Sequence, residues 1–210
     1  MDQSSAFQLQ GKVNGVCMLL APVLLLGSSL ALWADNLRLF GVAQVYAFVC
    51  FISVALGLTN LFADRMPRVA IATRLLLFLG CAGGIGYAHA YVFDAEVERL
   101  GATPAIQDEF IDVINTGLPL MLNLPGVVFP LTMAAVGITL WRTRTVAVIP
   151  AVLLVLASLL FPVSRIGDIV PLMVVSDALF VVSLSWIALR YVLSVVPSSS
   201  VPGSVGVKAA

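Results

Sequence analysis

The chain has 210 residues, of which 60% are hydrophobic and only 10% are charged, whereas about a quarter of an ordinary soluble domain is charged. So large an apolar share, gathered in long uninterrupted runs, excludes an ordinary soluble domain and indicates that lipid surrounds much of the chain. Eleven basic residues balance eleven acidic ones. No segment collects more than a few Lys or Arg, which argues against nucleic acid as a partner.

Six apolar runs are each long enough to cross the roughly 30 Å hydrocarbon core as a helix. Because the runs are continuous rather than alternating, they predict helices and not the strands of a barrel. The predicted spans, in chain order, are 13–33, 40–63, 70–92, 117–141, 146–164 and 169–193. The predicted fold class is therefore all-α, a polytopic transmembrane helix bundle. We expect residues 1–12 to be a cytoplasmic N-terminal segment. We expect the Ser- and Pro-rich residues 194–210 to be a disordered cytoplasmic tail.

The basic residues predict the orientation of these spans, because cytoplasmic flanks retain positive charge. One side of the predicted topology, shared by both termini, has eight: Lys12, Arg65, Arg68, Arg74, Arg142, Arg144, Arg190 and Lys208. The other side has three, Arg38, Arg99 and Arg165. Both termini are therefore predicted to be cytoplasmic, and the protein to be a multi-pass protein of the cell membrane.

The only long connection is the predicted outer loop 94–116. Within it, Thr103 and Pro104 make a typical helix start, and acidic and apolar residues alternate with helical spacing up to Ile114. This pattern is typical of a short acidic helix at the outer surface, and an ordinary solvated connector is the alternative. At the next outer turn, Arg165 and Asp168 are three residues apart and predict an exposed ion pair.

Asp177 is the strongest candidate for function, because a carboxylate inside a span is costly unless it is paired, neutralised or in contact with water. Counting about 1.5 Å per residue, three more polar residues lie at a comparable depth in the outer halves of their spans. We therefore predict an outward-facing ligand-binding pocket formed by Asp177, His89, Asn123 and Gln44. In the alternative interpretation, Asp177 only joins helices through hydrogen bonds.

Glycines dominate the middle of the third span. Gly80 and Gly84 are four residues apart, and Gly86 follows at the same spacing from Ala82, which predicts close helix packing. A phosphate-binding loop is excluded because no lysine follows the glycines. The three cysteines lie in apolar runs without a CxxC pair, and His89 is the sole histidine. The sequence therefore predicts no metal site, no cofactor and no catalytic residue.

The segment 129–192 carries the turn Leu140, Trp141, Arg142, Thr143, Arg144 and the corner Phe161, Pro162, Val163, Ser164, Arg165, Ile166. With these motifs it resembles the C-terminal half of uncharacterised multi-pass integral membrane proteins of bacteria. The resemblance implies six helices in a bacterial inner membrane, and it implies no activity.

Three functions remain open at this stage. The first is non-enzymatic binding or transport of a small molecule or ion through the pocket near Asp177. The second is an accessory subunit that packs against a partner membrane protein or a second copy of itself, as the small residues of the third span indicate. The third is an intramembrane enzyme, which would need two or more ionisable groups in one cavity.

Overall fold

Six long helices account for most of the residues that the structure describes. A computed structural model describes residues 3–101, 103, 105, 106, 109 and 119–194, with the helical side chains of residues 3–7 and 119–125 left out. The helices are α1 (Gln3–Trp33), α2 (Leu37–Asn60), α3 (Pro67–Arg99), α4 (Pro119–Arg142), α5 (Val148–Ile166) and α6 (Val170–Ile187), and a π-helical turn (Ala188–Val192) extends α6.

Three turns between helices share one backbone motif. Asp35, Arg144 and Asp168 have positive φ angles of 55°, 52° and 51°. After Asp35, the N–H of Asn36 donates to the carbonyl of Ala31 at 2.9 Å, and the other two turns repeat this bond. A left-handed residue at this position satisfies the last carbonyls of a helix and reverses the chain. Consecutive helices are therefore antiparallel neighbours.

The helices form a closed ring, in which each packs against the next in sequence and α6 packs against α1. Arg65, in the turn after α2, donates to the carbonyl of Thr143, in the turn after α4. The N–H of Ala147, in the turn after α4, donates to the hydroxyl of Tyr191, and Gly15 of α1 contacts Leu193, so the described C-terminal end and the first half of α1 lie with these two turns. We name this the basic end. The acidic end is opposite and comprises the turns 34–36 and 167–169 and the last turns of α3.

The outside of the bundle is apolar, unlike the outside of a soluble protein. Large aliphatic side chains cover the outside, with Leu75 64% and Leu131 58% exposed, while Gln44, Ser158 and Asp177 are buried. This distribution is stable where hydrocarbon rather than water surrounds the helices. The helices long and apolar enough to cross a bilayer are Gln8–Trp33, Leu37–Asn60, Pro67–Arg99, Val148–Ile166 and Val170–Val192, and α4 is apolar over Gly126–Arg142. The predicted all-α membrane bundle is confirmed.

An aromatic cluster fills the centre of the ring. Its members are Phe48, Phe51, Phe129, Phe161 and Phe180, which come from α2, α4, α5 and α6 and are at most 6% exposed. Phe129 is central, with ring centroids 4.9 Å from Phe51 and 5.6 Å from Phe161. The edge-to-face geometry of these pairs adds to the stabilisation that burial provides.

The third helix is longer than the predicted span 70–92 and reaches Arg99, inside the predicted outer loop 94–116. No Gly or Pro interrupts the chain there, and Glu96 forms ion pairs with Arg99 at 2.7 Å and with Arg38 of α2 at 3.3 Å. Likewise, α1 begins at Gln3, within the predicted N-terminal segment 1–12. Most of the predicted surface helix within 103–114 and most of the tail 194–210 lie outside the described residues.

Candidate functional site

A cavity of about 550 Å³ opens among α2, α3, α4 and α5, in the half of the bundle nearer the acidic end. Its wall includes Gly84 and Gly126, which have no side chain, and Pro130 and Pro162, whose side chains are short rings. These residues leave space between the helices. Phe48 and Phe161 of the aromatic cluster lie on its side towards the basic end. The lining residues are Gln44, Phe48, Gly84, Tyr87, Gly126, Val127, Pro130, Phe161, Pro162, Arg165 and Ile166.

A buried ion pair adjoins this cavity. Nη2 of Arg165 lies 3.2 Å and 3.3 Å from the two carboxylate oxygens of Asp177, and these side chains are 6% and 0% exposed. Ser29 of α1 donates its hydroxyl to the same carboxylate at 2.5 Å. The guanidinium also stacks on Phe161, with Cζ 3.6 Å from the ring centroid, a favourable cation–π contact. Helices α1, α5 and α6 are thus joined at one point.

Two polar groups at the cavity have no partner among the described residues. Arg165 uses only Nη2 in its ion pair, and its Nε and Nη1 are buried without a hydrogen bond. Gln44 is fully buried, and neither its amide nitrogen nor its amide oxygen has a partner. Both side chains line the cavity, but their unpartnered atoms are covered, so a molecule in the cavity would reach them after a small shift of these side chains.

Tyrosine side chains stand on the α3 side of the site. Tyr87 lines the cavity, and its hydroxyl shares a 2.8 Å hydrogen bond with that of Tyr91, one turn further along α3. Tyr91 packs edge-on against Phe40 of α2, at a centroid distance of 4.7 Å. This contact packs α2 against α3 between Gln44 and the acidic end.

Of the four predicted pocket residues, Gln44 lines the cavity, while Asp177 reaches it only through its ion pair with the lining residue Arg165. Asp177 and Gln44 are buried in the acidic half of the bundle, each about seven residues from the start of its helix. His89 is exposed, and its Nδ1 is 2.9 Å from the carbonyl of Ile85 in its own helix. The side chain of Asn123 lies outside the described residues, so its place in the pocket stays a prediction.

The three glycines of α3 that were predicted to pack helices differ in how closely other helices surround them. A Cβ on Gly80 would be 2.6 Å from the backbone of Phe129 in α4, and one on Gly84 would collide with the ring of Phe48 in α2. Gly86 is only half-buried. The small side of α3 therefore accommodates the protein's own helices, and Gly84 is also part of the cavity wall.

Arg165 was missed as a site residue, because the sequence predicted an exposed ion pair with Asp168. In the structure Asp168 is exposed, while Arg165 points inward to Asp177. The signal that could have located it is its helical position. Arg165 lies four residues after Phe161 and seven after Ser158, on the buried face of α5, as the 3.6-residue period requires.

Arg165 and Asp177 are the charged side chains described at this site. The ionisable pair at the cavity is mutually neutralised, and His89 lies away from it. Among the residues described, no group of three or more His, Cys, Asp or Glu side chains could hold a metal ion. Comparisons of the chain with protein-family models, with curated proteins and with solved structures find no match.

Proposed function

We propose that this integral membrane protein binds a small molecule in the cavity beside Arg165 and Asp177, and does so without catalysing a reaction on it. The observation that carries the proposal is the pair of buried, unpartnered polar side chains in the cavity wall, Arg165 and Gln44. Bound ligand would be recognised at these groups and then retained, sensed or passed across the membrane.

The energetic cost of these groups supports the proposal. Leaving a buried polar group without a hydrogen bond costs about 1–3 kcal/mol, and more when the group is charged. Other buried hydroxyls avoid this cost by bonding to carbonyls, as Ser158 does with Leu154 and Ser176 with Ala157. Among the described residues, the buried side-chain nitrogen and oxygen atoms that lack a hydrogen-bond partner all belong to Gln44 and Arg165. A ligand that completed their hydrogen bonds would recover this free energy on binding.

We further propose that the cavity faces outward and that both termini are cytoplasmic. Arg65, Arg68, Arg142 and Arg144 lie in or beside the turns of the basic end, and positive charge is retained on the cytoplasmic side. The acidic end then faces the exterior. The resemblance of segment 129–192 to bacterial multi-pass proteins supports a bacterial inner membrane as the location.

Binding is favoured over the two other functions considered. An accessory subunit was motivated by the small residues of α3, but Gly80 and Gly84 contact the protein's own helices. An intramembrane enzyme would need two or more ionisable groups that can act in one cavity, but Arg165 and Asp177 are paired with each other and His89 is exposed.

Ligand retention by the purified protein tests the proposal. The protein, reconstituted in nanodiscs, is extracted with solvent, and the extract is compared by mass spectrometry for wild type, Gln44→Leu and a control, Ser158→Ala. Ser158 is buried but bonds within its own helix and does not line the cavity. We expect wild type and the control to retain a common small molecule, in near-stoichiometric amount, that Gln44→Leu loses. If wild type retains none, and no compound in a broad small-molecule set raises its Tm, the proposal is wrong.

A further inference from the structure

We propose that the cavity selects molecules with an uncharged head that both donates and accepts hydrogen bonds, such as a primary carboxamide, attached to an apolar body. This inference rests on the binding function proposed above and names the chemical class of its ligand. It depends on three properties of the described cavity, namely its charge, its hydrogen-bonding groups and its apolar walls.

The charge of the site is the first property. Arg165 is the one charged side chain among the described residues of the lining, and it is already paired with Asp177 at 3.2 Å. An organic anion entering the cavity would be attracted by the guanidinium and repelled by the carboxylate behind it. With no net positive charge to offset it, the loss of the anion's hydration would oppose binding. An uncharged head avoids that loss.

The hydrogen-bonding groups are the second property. Arg165 offers only donors, one N–H on Nε and two on Nη1, whereas the Gln44 amide offers both donors and an acceptor. All these groups are unpartnered among the described residues. A carboxylate could accept from both side chains but would leave Oε1 of Gln44 without a donor. A primary carboxamide can accept from both side chains through its carbonyl oxygen and also donate to Oε1 of Gln44 through its N–H group.

The apolar walls are the third property. Phe48, Phe161 and Pro130 surround the remaining volume and would bury a hydrocarbon body favourably. Ile166 and Val127 also line the cavity and are 80% and 42% exposed, so its rim is apolar on the outer surface of the bundle. A polar head on an aliphatic chain therefore matches both the interior and the rim.

Three probes with the same eight-carbon acyl chain test the inference. Octanamide is neutral and can both donate and accept, methyl octanoate is neutral and only accepts, and octanoate at pH 8 is an anion that only accepts. Their Kd values are measured on the full chain in nanodiscs of neutral lipid, and the signal from Gln44→Leu is subtracted to remove partitioning into lipid. We expect octanamide to bind at least tenfold more tightly than octanoate, with methyl octanoate weaker than octanamide.

A charge-switch variant sharpens the test. Asp177→Asn keeps the shape of the side chain and an acceptor for Ser29, but leaves the charge of Arg165 unpaired. The preference should then reverse in favour of octanoate. If this variant does not fold, the ranking of the three probes on wild type decides the inference alone.

The outcomes separate this inference from the proposed function. Octanoate binding wild type as tightly as octanamide, or no binding by any of the three, overturns the inference. The proposed function survives either result as long as a molecule dependent on Gln44 is retained by the purified protein. Loss of both the probe binding and the retained molecule overturns both.

Discussion

The buried pair of Arg165 and Asp177 allows a quantitative test by a double-mutant cycle. Two unit charges 3.2 Å apart attract each other by about 5 kcal/mol at an effective dielectric constant near 20. Withdrawing both charges from water costs several kcal/mol for each ion, so the net contribution of the pair is small. Removing one partner is different, because the other charge stays buried without compensation.

We therefore expect Arg165→Met and Asp177→Leu each to lower the free energy of unfolding by about 3–5 kcal/mol. The double variant replaces the pair with apolar side chains of similar size and should unfold with a free energy close to that of wild type. Ser29 would lose its acceptor in both variants that lack Asp177, but its neighbour Ser28 shows that such a hydroxyl can bond to its own helix, at 2.6 Å from the carbonyl of Leu25.

Reversible unfolding in mixed micelles, followed by the loss of helical circular dichroism, measures the four free energies of the cycle. The result that refutes the reasoning is additivity. If the double variant is destabilised by the sum of the two single effects, the side chains act independently and the pair does not hold α5 to α6. Asp177→Asn, which removes charge with little change of shape, separates the electrostatic effect from the packing effect.

Three further predictions concern the scaffold and its orientation. Gly80→Ala should lower the free energy of unfolding by more than about 2 kcal/mol, because its Cβ would meet the backbone of Phe129 at 2.6 Å. The control Gly27→Ala has open space around its Cβ and should be neutral or stabilising by up to about 1 kcal/mol. Unfolding in micelles measures both free energies. Asp168→Gly should stabilise by about 1 kcal/mol, because glycine adopts the positive φ of 51° without the cost that other residues bear, and a lower Tm would contradict this. A reporter fused after residue 210 should be active only in the cytoplasm, while one inserted after Gly101 should be active only outside, and the opposite pattern would reverse the proposed topology.

The fold was predictable from the sequence because hydrocarbon imposes simple requirements on a chain. A span needs about twenty apolar residues, and its backbone must form its own hydrogen bonds. The limits of the helices were less predictable, because charged residues end a hydrophobic run without ending a helix. The last turns of α3, from Asp94 to Arg99, are polar but helical, and Glu96 is held by arginines from two helices.

The site was predictable only in part, for a reason that depends on position along a span. Asp177 and Gln44 stand out as polar residues in the interior of apolar runs, where burial is costly. Arg165 is at a span end, where an arginine side chain usually extends to the interface, so its inward direction depended on which face of α5 it occupies. His89 has the same depth as the others but lies on the outer face of α3. Depth alone therefore could not identify the pocket.

The aromatic cluster determines what kind of binding the bundle supports in this conformation. Phe51, Phe129 and Phe180 lie between the cavity and the basic end, and each is at most 1% exposed. Beyond them the interior is filled by buried aliphatic side chains such as Leu58 and Leu140. These side chains close the cavity off from the basic end. Passage across the membrane would require the edge-to-face contacts around Phe129 to separate, at a cost of the order of the 3–5 kcal/mol lost when a buried Phe is truncated. If the proposed ligand is transported as well as bound, transport would need a second arrangement of α4 against α2 and α5.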